Sequence, residues 1–324
     1  MPCKPAYVRR IALLAACLFL AAGTPACQRQ GTIGSWTGQG TLVIEGPTIF
    51  TSPGVEPIQD GIVIVMDGVV EGVGARGELP VPPADFWIDG SGLSLLAGFW
   101  NAHVRMDAEL LYAAVSATGP ELEELVRERF SRFGFTSVVD TNTPWDGLAP
   151  LIERIQSGEV MGPRIVSVPG GAMGGVMFAN PSSPPWSSGV LARFAVEDLA
   201  VVPGLGLHLD NMAPGAAGSE EQLSALRGFI DRGGSIVFGT GAGYIPQYDP
   251  MLDHLLLDEG GIPFPDHLAS LTTEPALRFA YDYLGQVAPG MVADLVLLDG
   301  DPEVDVTAFN RVRLVLREGR ALFW

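Results

Sequence analysis

The chain has 324 residues, 47% of them hydrophobic and 8% aromatic, which is enough apolar side chain to bury a large core in one or two domains and excludes disorder as the default. Its formal charge of −18, from 37 acidic and 19 basic residues, excludes nucleic acid and anionic membrane as electrostatic partners.

Residues 1–10 carry Lys4, Arg9 and Arg10, residues 11–22 are almost wholly apolar, and small residues precede Cys27. This is the pattern of a secretory leader, and the apolar run is far short of the ~20 residues that a membrane-spanning helix needs. Residues 1–26 are expected to be a signal peptide and 27–40 a linker, with the mature protein in the periplasm or lipid-anchored at the bacterial cell envelope. The leader and its cysteine resemble a lipoprotein signal, so acylation of Cys27 and plain cleavage after Ala26 both stay open. A lipid anchor would be the only membrane contact. Cys3, Cys17 and Cys27 are the three cysteines, so disulfides are not expected to hold the fold.

From Thr41 to Asp89, short apolar runs alternate with turn residues. Residues 41–45, 61–66 and 69–73 read as strands, and Asp67-Gly68 reads as a hairpin turn between the last two. The middle of the chain reads as β/α units. Thr118-Gly-Pro-Glu121 makes a capping box with proline in the first turn, and Leu122, Leu125, Val126 and Phe130 follow at helical spacing, predicting a helix that ends near Phe133. Residues 135–139 read as a buried strand, Asp146 as the cap of a helix carrying Leu148, Leu151 and Ile155, and residues 165–168 as the next strand. Between Pro169 and Pro214 the pattern weakens into a glycine- and proline-rich stretch. Ser219 then caps a helix, residues 235–238 read as a strand, Asp249-Pro250 opens another helix, and residues 293–298 and 312–319 return to β character.

The run 94–105 ends in His103-Val104-Arg105. Side chains two apart on a strand share a face, so a His-x-His ending would aim two imidazoles at one metal. Arg105 takes the second position here, bringing a fixed charge that cannot ligate and would repel a dication.

This run resembles the corresponding segment of the amidohydrolase superfamily, especially its imidazolonepropionase-like branch. So do Gly134-Phe-Thr-Ser-Val-Val-Asp140, Gly162-Pro-Arg-Ile165, Gly239-Thr-Gly-Ala-Gly243, Leu271-Thr-Thr-Glu-Pro-Ala276 and the stretch 287–302. The resemblance implies an α/β fold. A TIM-like (β/α) barrel would occupy residues 96–284, beside a small composite β-sandwich made from the N- and C-terminal strands, residues 41–95 with 285–324. The barrel segment is shorter than the ~200 residues at the lower limit for eight units, so an abbreviated barrel is expected, with the loss ahead of the strand at Ser235.

The activity that the resemblance implies is metal-assisted hydrolysis of non-peptide carbon–nitrogen bonds, such as cyclic amides or N-acyl groups, in a small-molecule substrate. It calls for one or two divalent, zinc-like metals held by the His-x-His pair, a carboxylated lysine or a glutamate, and two further histidines, with the aspartate of Gly-Thr-Asp-Ala-Gly moving protons. His103 stands at the first position, Gly241 replaces the aspartate, and no lysine follows Lys4. His208 lies in an apolar run that reads as a strand and is the other candidate ligand, weighed against a hydrogen-bonded core or loop histidine. His254 and His267 read as solvated or capping residues. The metal site is therefore expected to be eroded, the metal weak or absent, and the catalytic residue unassigned, which leaves hydrolase and pseudoenzyme both open. The alternative is a non-catalytic exported protein that binds an anionic small molecule through Arg105, set against an ion pair of Arg105 with Asp107 or Asp140. No Gly-x-Ser-x-Gly elbow, mature Cys-x-x-Cys or Gly-Lys-Ser/Thr loop offers another chemistry.

Overall fold

The computed structural model describes residues 33–168, 172–178, 186–211 and 219–324. The expected signal peptide, Cys27 and most of the linker lie outside the described residues.

The first strands are β1 (Thr41–Glu45), β2 (Thr48–Ile49), β3 (Gly61–Met66), β4 (Val69–Ala75), β5 (Phe86–Asp89) and β6 (Leu93–Ala97). β3 and β4 form an antiparallel hairpin whose two turn residues, Asp67 at φ 47° and Gly68 at φ 83°, both lie in the left-handed region that a tight two-residue turn demands. Packing adds a second reason for glycine at 68, because a Cβ there would sit 2.6 Å from the Glu318 carbonyl oxygen. Sheet order is β4-β3-β1-β5, with β1 antiparallel to β3 and parallel to β5.

Strand β7 (Phe99–Val104) follows, then α1 (Ala108–Ser116), α2 (Gly119–Arg129), β8 (Phe135–Asp140), α3 (Trp145–Gln156), β9 (Arg164–Ser167), β10 (Ala172–Met173) and β11 (Val176–Phe178). After these come α4 (Ser188–Val196), β12 (Ala200–Val202), α5 (Leu205–Asn211), α6 (Ser219–Ile230), α7 (Met251–Glu259), α8 (Phe264–Leu271) and α9 (Thr273–Arg278). The chain ends with β13 (Leu295–Asp299), β14 (Val312–Arg317) and β15 (Arg320–Phe323). These last three strands join β6 and β2 in a second sheet, ordered β15-β14-β13-β6-β2. Alternate residues of the two sheets, among them Leu42, Ile44, Val63, Leu95, Leu297 and Leu316, meet in one buried cluster.

The remaining strands run parallel. β7 pairs with β8 and β8 with β9. On its other side β7 bonds the segment 238–242, through Ala102 N to Phe238 O at 2.8 Å and Arg105 N to Ala242 O at 2.9 Å. Residues 235–237 in turn bond β12, which pairs with β11. The order is thus β9-β8-β7, the segment 235–242, β12 and β11. Trp100, Ala102, Val139, Val166, Val202 and Val237 form one buried cluster against these strands. This is a mixed α/β protein with several sheets. No bridge joins β9 to β11 among the described residues, and no closed barrel is formed by them.

Two local readings are corrected. The expected strand at 235–238 is held by isolated bridges, not a regular ladder, because Gly239, Gly241 and Gly243 follow at once and the last two have positive φ. α3 starts two residues early, so Pro144 stands at the cap and Asp146 lies in the first turn. By contrast, the Thr118–Glu121 capping box is present as the residues predict, and Gly134 at φ 86° ends the turn after α2.

Candidate functional site

His103 lies near the C-terminal end of β7, the end of parallel strands at which ligand sites are built. It is buried, and its ring packs against Phe178 at 5.7 Å and Tyr244 at 5.1 Å. Its Nδ1 is buried with no hydrogen-bond partner. Burial, and secondarily the charge of His208, lower its pKa to about 4, so the imidazole is neutral at ordinary pH.

His208 is thus near enough for its charge to be felt at His103, but it comes from α5 and not from a strand. Pro203-Gly204 ends β12 at Val202, with Gly204 at φ 54°, and the Asp253 carboxylate accepts from Gly206 N at 2.9 Å at the start of the helix. The apolar run that suggested a strand is therefore split in two. Burial lowers the His208 pKa as well.

Arg105 is exposed and has no ion pair among the described residues, so the expected pairing with Asp107 or Asp140 is not made. Both carboxylates are committed elsewhere. Asp107 caps α1 at Leu110 N, binds Arg129 at 2.7 Å and accepts from the Tyr248 hydroxyl. Asp140 accepts from Met106 N, Thr143 N and the Thr143 hydroxyl.

Gly241 has φ 72°, and a Cβ there would lie 2.8 Å from Leu207 Cδ2 and 3.0 Å from Leu207 Cβ. The backbone at the position of the expected aspartate is therefore shaped for glycine. The segment is stapled to β7 by Asn101, which donates to Thr240 Oγ1 at 2.8 Å and accepts from Thr240 N at 3.1 Å, while Gly241 N donates to His103 O at 2.8 Å. Tyr244, Thr141 and Phe178 complete the surroundings of His103. The Tyr244 hydroxyl lies 2.9 Å from Thr141 Oγ1, and burial pushes its pKa up. Sequence reasoning missed these three, since lone aromatic and hydroxyl residues after strand ends carry no periodic signal.

His254 and His267 are neither solvated nor capping. Both are fully buried, with His254 Nδ1 2.9 Å from His267 Nε2 and the His254 ring stacked between Phe238 at 4.6 Å and Phe309 at 4.8 Å. Val237 and Phe238 belong to different buried clusters, so the histidine pair packs on the Phe238 side of the segment, opposite Val237.

A catalytic zinc takes three protein donors and keeps one open position. His103 and His208 supply two, and no group of three or more His, Cys, Asp or Glu side chains is placed to hold a metal ion among the described residues. This donor set, among the described residues, does not fit the divalent metal of the resembled family.

No family model matches the chain, and no curated protein matches it. Solved structures do. A Bifidobacterium longum protein described as a prolidase superposes with a TM-score of 0.70 at 16% identity, over 87% of this chain and 94% of that one. A Xaa-Pro dipeptidase with bound methionine gives 0.66 at 15% identity, over 87% and 99%, and the ochratoxinase of A. niger 0.65 at 13%, over 88% and 96%. A structure described as an amidohydrolase gives 0.59 at 15% identity, over 87% and 98%, and the fold is of the amidohydrolase type. At these identities the likeness concerns the scaffold, and the side chains around His103 decide the chemistry.

Proposed function

We propose that this chain is an amidohydrolase-superfamily protein of the imidazolonepropionase-like branch, built for carbon–nitrogen bonds of small molecules, whose metal site has eroded to His103 and His208. The hydrolase names of its structural neighbours support the reaction class. The observation that carries the erosion is the donor set: two neutral imidazoles near the C-terminal end of β7, glycine where the proton-moving aspartate belongs, and Arg105 where a ligand belongs. Neutral imidazoles can hydrogen-bond a substrate amide, yet two of them do not fix a cation's coordination. The reading includes an abbreviated barrel over residues 96–284, a composite sandwich from 41–95 and 285–324, and export, either to the periplasm or to a lipid anchor at Cys27.

The test is metal analysis by ICP mass spectrometry of protein purified with zinc or manganese present, paired with a turnover panel of N-acyl amino acids and cyclic amides. Less than a tenth of an equivalent of metal after dialysis agrees with erosion, and one equivalent or more sinks it. Turnover that disappears in His103→Ala supports a working hydrolase.

A second reading, an anion-binding protein on the same scaffold, is favoured by Arg105, an exposed guanidinium without an ion pair among the described residues. Stabilisation by small carboxylates that is lost in Arg105→Ala would select it.

A further inference from the structure

At the opposite end of the parallel strands lies a cavity of about 250 Å³, walled by Ile152, Ile155 and Ile165, the Tyr281 ring, Gln156, the Glu318 carboxylate, and Arg164 and Arg317. Arg164 begins β9 and pairs in register with Ser137, whereas the ladder beside the His103 site ends at Asp140 and Ser167. At ~3.3 Å per residue, three positions place the cavity about 10 Å away along the strands.

The two arginines differ in how their charge is met. Arg164 is satisfied: it binds Asp294 at 2.9 Å and Glu318 at 3.1 Å, donates to Ser137 Oγ, and lies 5.8 Å from the centre of the Tyr281 ring. Arg317 is not. Its Nη1 donates to the Gly162 carbonyl, its Nε is buried without a hydrogen-bond partner, and the nearest carboxylate oxygen, on Glu318, is 3.9 Å away and shared with Arg164. Arg320 adds a third positive charge within reach, leaving three cations against Asp294 and Glu318. Burial works against the Arg317 charge and lowers its pKa, the cost expected of a guanidinium short of an anion. On a chain of net charge −18, a cavity with surplus positive charge is an exception to its surroundings.

We propose that this cavity is a second ligand site, which takes a small monocarboxylate with an apolar tail or ring, the carboxylate on Arg317 and the apolar part against Ile152, Ile155, Ile165 and Tyr281. One guanidinium short of an anion beside three isoleucines and a tyrosine ring selects this class over inorganic phosphate, whose charge would need more donors and which offers nothing to the isoleucines. The site is independent of the metal question at His103.

The experiment is isothermal titration of the full mature chain with benzoate and hexanoate, with benzyl alcohol and inorganic phosphate as controls. Benzoate is expected to bind one to one and benzyl alcohol at least tenfold more weakly. Arg317→Met should weaken benzoate on the order of tenfold or more, the loss of a charge-assisted hydrogen bond. Gln156, exposed at the rim, allows a variant that leaves the fold alone: Gln156→Glu should weaken benzoate about threefold by repulsion. Arg105→Ala should leave the affinity unchanged, which separates this site from the mouth at His103. Equal binding of benzyl alcohol, no saturable benzoate binding at 10 mM, or an affinity indifferent to both Arg317→Met and Gln156→Glu would overturn the proposal.

Discussion

Restoring the aspartate of the resembled motif by Gly241→Asp should damage the fold without repairing the site. The substitution meets two costs. At φ 72° an L-residue gives up about 1 kcal/mol, aspartate less than most because its short side chain tolerates the left-handed region. The new Cβ also lands 2.8 Å from Leu207 Cδ2 and 3.0 Å from both Cδ1 and Cβ of that fully buried leucine, so either Leu207 leaves its rotamer or the backbone moves, for a further ~1–3 kcal/mol. The sum, about 2–4 kcal/mol, is a large part of the ~5–15 kcal/mol that holds a typical domain folded. Equilibrium urea unfolding of wild type, Gly241→Asp, Leu207→Ala and the double variant measures it. Leu207→Ala removes the two Cδ contacts and leaves the Cβ contact and the backbone cost, so a favourable coupling of about 1 kcal/mol is expected. Gly241→Asp within 0.5 kcal/mol of wild type, or a coupling of zero, would refute the reasoning.

Other consequences can be measured in the same way. Burial holds the His267 pKa at about 3 and His254 well below its ordinary 6.5, so below pH 6.5 the unfolded chain binds protons that the folded chain refuses. Stability should be complete above pH 6.5 and fall by up to about 3 kcal/mol per pH unit beneath it, and replacing both histidines with leucine should flatten that slope in urea titrations at pH 7 and 5.5. Asp253 has the opposite sign. Burial raises its carboxyl to about 7, so its contribution is full below the unfolded value near 4 and is lost as pH rises to 7; Asp253→Asn should gain about 2–3 kcal/mol relative to wild type on going from pH 5 to 8, and a pH-independent difference would contradict this. Asn101→Ala removes both halves of the staple to Thr240 and should cost about 2–3 kcal/mol, with hydrogen exchange quickening at the Gly241 and Ala242 amides, while unchanged exchange would mean that the segment is held by other contacts.

Short-range chemistry was legible in the residues. The Asp67-Gly68 turn, the Thr118–Glu121 box and the β8 and β9 runs needed only their neighbours in the chain, and the structure has each of them. The amidohydrolase-type scaffold was legible too, because its motifs sit at strand ends where backbone shape restricts the residue. What failed were readings that depended on partners far along the chain. His208 lies in a run with the hydropathy of a strand, and only Pro203-Gly204 together with Asp253, more than forty residues later, turns it into a helix. Arg105 was offered two carboxylates close in sequence, yet Asp107 is claimed by Arg129 and Tyr248 and Asp140 by its own turn.

The amino-acid order alone determined where the turns fall and which helices cap themselves, since identity and local spacing are one-dimensional properties. Only the folded chain decided that His254 and His267 leave solvent to lie between Phe238 and Phe309, that the charge of His208 is felt at His103, and that Arg317 is buried short of an anion. Burial and charge pairing are set by distance in space, and chains of equal local pattern can close those distances in different ways.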